Sequence, residues 1–303
     1  MRSLISLADV PDQVVRDLVG AAQRLASAPE PPQALRGRVI GLYFAHASTR
    51  TRTAFSVATL RLGGHLVSYG PHDLQLSTGE TWADTGMVLS GMLDLLVVRA
   101  SGDADDLRTM TSGGRLGVVN AMNTAEHPTQ AIGDLATMAQ HFGAVDGLHV
   151  AYFGEGNSTA AALALALSRF PGVRLDLLTP VGYALPPELV AEADARARCN
   201  GGAVRQSYDP TELPEKVDVV YTTQWQTTGT SKADPDWRRL FAPFQVDPAL
   251  LERWPDAAFM HDLPARRGDE VSTEVIDGAR SLVARQAHNK LWGAAAVLEW
   301  AAS

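Results

Sequence analysis

At 303 residues, 46% hydrophobic and 20% charged, the chain is a packed globular protein long enough for two α/β domains, and disorder is excluded. A net charge of −8 argues against nucleic acid or an anionic membrane as the main partner, while leaving room for a small anion held by a few placed cations. The single cysteine, Cys199, excludes an internal disulfide framework, and with neither a signal-peptide core near Met1 nor a bilayer-length apolar run, a cytoplasmic protein is expected.

In chain order, short apolar runs alternate with helical patterns, which indicates βα units and mostly parallel sheets. Residues 38–44, 65–69, 95–98 and 117–120 read as strands of a first half, and 148–153, 173–178, 217–221 and 257–260 as strands of a second. A helix over 49–62 places Phe55, Ala58 and Leu62 on one face, and another begins near Pro128. Residues 157–169 form an Ala/Leu-rich helix, and 186–199 opens with prolines suited to a first turn. A strand at 281–285 is expected before a last helix over about 288–300. The Ala/Pro-rich stretch 26–34 reads as a linker and 222–237 as a long polar loop. The expected fold is α/β, with two doubly wound domains of mostly parallel sheet facing each other across a cleft. One domain spans 1–143 and takes back the C-terminal helix at 288–303; the other spans 144–287.

The strongest chemical signal is Ser48-Thr49-Arg50-Thr51-Arg52, directly after the first strand. A strand–helix junction offers unpaired N–H groups and the positive end of a helix dipole, so hydroxyls and a guanidinium there suit a phosphate. The same residues also suit a plain cap by Ser48 with solvated arginines. His127-Pro128-Thr129-Gln130 puts His127 at a helix entry and Gln130 on the first turn, where imidazole and carboxamide can converge on a carbonyl and an amide-like group. Arg99 follows an apolar run, at the carboxyl end of a strand, where open α/β sheets bind ligands. His261-Asp262-Leu263-Pro264 holds the equivalent place in the second half. The remaining histidines (46, 65, 72, 141, 149 and 288) lack metal-ligand spacing.

Together these pieces resemble the aspartate/ornithine carbamoyltransferase family, nearer its ornithine branch, over nearly the whole chain. Ser48 to Arg52 is similar to the family's carbamoyl-phosphate signature, and Arg61-Leu62-Gly63-Gly64 follows at the usual distance. Gly79-Glu80 with Asp84-Thr85 resembles the loop that reaches a neighbouring subunit's site, and the His127 motif is the family's His-Pro-x-Gln. Residues 261–271 resemble the ornithine branch's His-Cys-Leu-Pro block. The resemblance implies that Ser48, Thr49, Arg50 and Thr51 hold the phosphate of carbamoyl phosphate, with Lys290 and a neighbour's Gln75 also at the donor. Arg99, His127 and Thr51 would surround the carbamoyl oxygen, where charge develops during attack, and Gln130 with the Leu263 carbonyl would orient the carbamoyl amino group. It also implies a homotrimer with shared sites, and neither a metal nor a cofactor.

The departures from the family pattern cluster on the acceptor side. The ornithine branch has cysteine where Asp262 stands, aspartate where Thr223 stands, Ser-Met-Gly where Thr227-Thr228-Gly229 stand, and paired asparagines where Asn157-Ser158 stand. The aspartate branch has an arginine where Gln224 stands and a lysine in the loop matching 76–79. The expected acceptor is therefore a small nucleophile, an amine other than ornithine or aspartate. Asp262 would contact a cationic acceptor or take its proton; the plainer alternative is a carboxylate that bonds backbone amides or Arg266. Lys290 replaces an arginine, keeping the charge and losing the bidentate fork.

Two other function classes compete. A nicotinamide-dependent oxidoreductase is suggested by Gly154-Glu155-Gly156 after a strand with Asp176 downstream, but the fingerprint is incomplete at Thr159. A non-catalytic metabolite-binding paralogue would explain the acceptor-side drift, but not the retained donor residues.

Overall fold

A computed structural model describes residues 1–227 and 230–303 of the chain. Two compact units emerge, Met1–Ala136 with His288–Ser303, and Thr137–Ala287.

The first unit opens with α1 (Asp12–Ser27), whose Val15, Leu18, Val19, Ala22 and Leu25 are buried at helical spacing. There follow β1 (Val39–Phe44), α2 (Thr49–Arg61), β2 (His65–Tyr69), α3 (Trp82–Leu89), β3 (Leu95–Arg99), α4 (Ala104–Met110), β4 (Gly117–Met122) and α5 (Pro128–Phe142). The four strands form one parallel sheet in the order β2-β1-β3-β4. The order reverses between β1 and β3, so their carboxyl ends flank a switch-point crevice. Phe55, Ala58 and Leu62 are all buried, as the periodicity of the α2 segment requires. Leu4 adds beside β4, with its N–H donating to the Val118 carbonyl at 2.9 Å, and so covers that sheet edge.

The second unit contains β5 (His149–Phe153), α6 (Ser158–Leu167), β6 (Arg174–Leu178), α7 (Pro187–Cys199), β7 (Ala203–Ser207), β8 (Val219–Thr222), α8 (Trp237–Phe241), α9 (Pro248–Leu251), β9 (Ala258–His261) and α10 (Thr273–Ile276). Its sheet is also parallel, in the order β7-β6-β5-β8-β9, with the switch point between β5 and β8. Every residue of α6 is buried, which matches its nearly uniform Ala/Leu composition.

The last helix, α11 (Val283–Ala302), corrects the sequence reading. No strand forms at 281–285; a single bridge between Phe259 and Ser281 lies beside β9 before the helix starts. The Phe259 N–H donates to Arg280 and the Leu282 N–H to Phe259, so the segment caps the sheet edge and then turns helical. An edge strand at β7 also goes unread in the sequence, because Arg205 and Gln206 interrupt its apolar pattern.

Within the first unit, α5 and α11 approach closely at Gly133 and Gly293. A Cβ on Gly293 would lie 3.0 Å from the Gly133 nitrogen, so side chains there would wedge the helices apart. That crossing brings Lys290 of α11 beside Gln130 of α5.

Candidate active site

Ser48 follows β1 and occupies the N-cap of α2, yet its side chain makes no capping hydrogen bond. The plain-cap reading therefore fails, and the hydroxyl stands at the helix N-terminus beside exposed Thr49. Arg50 Nε and Arg52 Nε are buried without a hydrogen-bond partner, and the Arg52 guanidinium lies over the Phe44 ring at 5.2 Å. Buried donors of this kind call for acceptors, and an anion supplies them.

Arg99, the last residue of β3, donates from Nη1 to the Thr51 hydroxyl at 3.1 Å. His127 is set by the turn before it, where Asn123 Oδ1 accepts from the Ala125 and Glu126 N–H groups. Neither ring nitrogen of His127 has a hydrogen-bond partner. Burial first, then the positive charges of Lys290 and Arg99, hold its pKa well below the ordinary histidine value, so the ring is neutral at pH 7. Gln130 is fixed at both ends: its Nε2 donates to Asp134 at 2.7 Å and its Oε1 accepts from Lys290. Thr51, His127, Gln130 and Lys290 share one small cavity with Ala54, Phe55 and Thr129. Gln75 is exposed in a 3-10 turn at Gln75–Thr78, its Oε1 accepting from Thr78 at 2.8 Å, and it does not line this cavity.

The second cluster lies at the carboxyl ends of β5, β8 and β9. Asn157 caps α6, with its Oδ1 accepting from the Thr159 and Ala160 N–H groups at 3.0 and 3.2 Å. Its Nδ2 donates to Thr227 at 3.4 Å. Ser158 is buried in the first turn. Thr223 and Thr159 each donate a hydroxyl to Asp262 at 2.8 Å, one to each carboxylate oxygen. Among the described residues Asp262 thus bonds neither backbone amides nor Arg266, and its side chain keeps 13% exposure. Leu263, at φ 57°, donates its N–H to His261 Nδ1 at 2.8 Å. His261 Nε2 faces Glu270 at 3.2 Å, and its Nδ1, which accepts from Leu263, lies 3.7 Å from Asp262 without donating to it. Among the described residues no lysine or arginine pairs with Asp262 either. Gln224 Oε1 is buried without a partner. Thr228 lies outside the described residues.

Tyr152 lies beside this cluster. Burial, Asp262 and Glu155 together raise the Tyr152 phenol well above its ordinary pKa. Three participants escape a reading of motifs alone. Thr159 stands out in the sequence only as a misfit in a nucleotide fingerprint, Glu155 only as part of that fingerprint, and Lys232, whose ammonium bonds Glu155, not at all. The fingerprint itself finds a structural explanation. A Cβ on Gly156 would lie 2.3 Å from the Leu185 nitrogen, so this glycine serves close backbone packing, and Asp176 is bonded to His149.

Comparison with known proteins matches residues 2–140 to the aspartate/ornithine carbamoyltransferase carbamoyl-P binding domain, and residues 146–301 to that family's Asp/Orn binding domain. An anabolic ornithine carbamoyltransferase of Pyrococcus furiosus is 37% identical over 270 residues, covering 89% of this chain and 85% of the relative. The solved Pyrococcus furiosus ornithine carbamoyltransferase structure has a TM-score of 0.92 at 34% identity, covering 98% of this chain and 96% of that one. The Gloeobacter violaceus ornithine carbamoyltransferase structure has a TM-score of 0.88 at 32% identity, with full coverage of both chains at 100%.

Proposed function

The chain belongs to the aspartate/ornithine carbamoyltransferase family and is a carbamoyltransferase; from that premise we propose that its acceptor is a small cationic amine other than ornithine or aspartate. The observation that carries this reading is Asp262, oriented by two threonine hydroxyls and lacking a lysine or arginine partner among the described residues. A carboxylate prepared in this way can bind an ammonium or guanidinium group, or take the proton of the attacking amine. A diacid acceptor would meet the Asp262 carboxylate, while Glu155 is already paired with Lys232.

On the donor side, Ser48, Thr49, Arg50 and Thr51 hold the phosphate at the N-terminus of α2, where backbone amides and the helix dipole add to the guanidinium. Lys290 adds a second positive charge. The amine nitrogen attacks the carbamoyl carbon, electrons move onto the carbamoyl oxygen, and their return breaks the bond to the phosphate oxygen. Arg99, neutral His127 and the Thr51 hydroxyl donate to that oxygen as charge develops. Gln130 and the Leu263 carbonyl orient the carbamoyl amino group. Each oxyanion donor of this sort contributes about 2.7–4 kcal/mol. Gln75 serves a neighbouring protomer's site in a homotrimer. Asn157, Ser158, Thr223, Gln224, Thr227 and Thr228 complete the acceptor side.

A second reading, transfer to ornithine itself, is favoured by the names of the relatives. Phosphate release from carbamoyl phosphate across ornithine, aspartate, diamines and guanidino compounds separates the two. We expect turnover with a cationic amine other than ornithine. Asp262→Ala should cut kcat/KM for that amine by roughly 10- to 100-fold, the loss of a hydrogen bond to a charged group. An unchanged acceptor KM and pH–rate profile in that variant would remove Asp262 from the acceptor site.

A further inference from the structure

Lys232 stands on the segment that follows β8, and its ammonium reaches back to Glu155 on the β5–α6 turn. Only 4% of the side chain is exposed. The nitrogen lies 4.3 Å from the centre of the Tyr183 ring, 4.8 Å from Phe241 and 5.3 Å from Trp237. Trp225 completes the aromatic cluster, with its ring 5.4 Å from Phe241. Burying an ammonium is costly unless a carboxylate and aromatic faces replace its water, and this site supplies both.

The pair is joined through Thr227 to Asn157, the cap of α6. Glu155 Oε2 accepts from the Thr227 hydroxyl at 3.4 Å, and Thr227 in turn accepts from Asn157 Nδ2 at 3.4 Å. Thr223, at the start of the same segment, donates to Asp262 at 2.8 Å. Lys232 is therefore a point where one cation ties the post-β8 segment to the turn that caps α6.

We propose that Lys232 is a positioning residue: a cationic latch, seated in an aromatic cage, that holds Thr223 and Thr227 in register with Asp262 and Asn157. It rests on the functional reading above only in taking this network to be the acceptor side.

Lys232→Ala deletes the equivalent of one propylammonium ion, so n-propylammonium chloride is the probe for the vacated cage. Chymotrypsin cleavage beside Trp225 and Trp237 reports opening of the segment without any acceptor. We expect cleavage about fivefold faster or more in Lys232→Ala than in the unsubstituted protein. Added n-propylammonium should restore slow cleavage with saturation, while equal sodium chloride or n-propanol should not. Lys232→Met, which keeps an apolar stem without charge, should also be cleaved faster, and it decides the matter if the alanine variant does not fold. In turnover, the KM of the amine should rise roughly tenfold with the KM of carbamoyl phosphate unchanged. Unsubstituted cleavage rates in both variants, or equal restoration by sodium chloride, would overturn the latch. Because cleavage needs no carbamoyl transfer, it tests the latch even where every acceptor assay fails.

Discussion

At His127 three influences push in one direction: burial, the Lys290 ammonium and the Arg99 guanidinium all disfavour the imidazolium. The unfolded chain keeps the ordinary value of 6.5, so between that value and the lower folded one the unfolded state binds the extra proton. His127 therefore contributes stability in full above pH 6.5 and loses it progressively as pH falls toward the folded value. The thermal midpoint should drop more between about pH 7.5 and pH 5.5 in the unsubstituted protein than in His127→Gln. Equal drops would mean that His127 is not held neutral. Lys290 invites a second comparison. Lys290→Met should weaken carbamoyl phosphate by about 10-fold or more through loss of a charged contact, while Lys290→Arg should retain it, both read as donor KM.

At the level of elements, the donor geometry depends on how nearly α5 and α11 touch. Gly293→Leu should separate them at Gly133, lift Lys290 from Gln130 and raise the donor KM, at a stability cost of about 1–3 kcal/mol from overpacking. An unaltered donor KM with a lowered thermal midpoint would show that the crossing serves packing alone. The sequence makes most of these elements legible, because buried parallel strands such as Leu95–Arg99 are continuous apolar runs and α2 carries its buried face at helical spacing. It fails where the pattern is local and weak. Ser281 and Leu282 look like the start of a strand because they do add to a sheet edge, but the helical segment from Val283 takes over at once. The motifs at Ser48–Arg52, Arg99 and His127–Gln130 are readable because they lie at or a few residues beyond strand ends, whereas Lys290 lies inside α11 and carries no local signal. Glu155 and Thr159, on the β5–α6 turn, meet Lys232 and Asp262 from two later segments only through tertiary packing. One trace of them survives in composition: the chain uses arginine almost throughout, and two of its three lysines, Lys232 and Lys290, lie in these clusters.

For the whole molecule, each unit gathers polar side chains at the carboxyl ends of its own parallel sheet, with Arg99 and Lys290 in one and the Asp262 carboxylate and the Glu155–Lys232 pair in the other. That division suits an anionic donor and a cationic acceptor. No helix among the described residues is long and apolar enough to cross a membrane. Met87, Val88 and Met92 form an exposed apolar patch on and just after α3, a surface of the kind that association covers. Light scattering should give a mass about three times the 32.4 kDa chain, and Met87→Asp with Met92→Asp should lower it. A particle of 32.4 kDa would contradict the shared-site trimer.

The central proposal, that Asp262 receives a cationic amine other than ornithine, is tested most directly by a competition. Carbamoyl phosphate in limiting amount is offered to an equimolar mixture of ornithine and other cationic amines, and the carbamoylated products are weighed by mass spectrometry. The expected outcome is a dominant product bearing the mass of an amine other than ornithine, lost in Asp262→Ala. Dominance of carbamoyl-ornithine would contradict that assignment and make this chain an ornithine enzyme with an altered grip on its substrate.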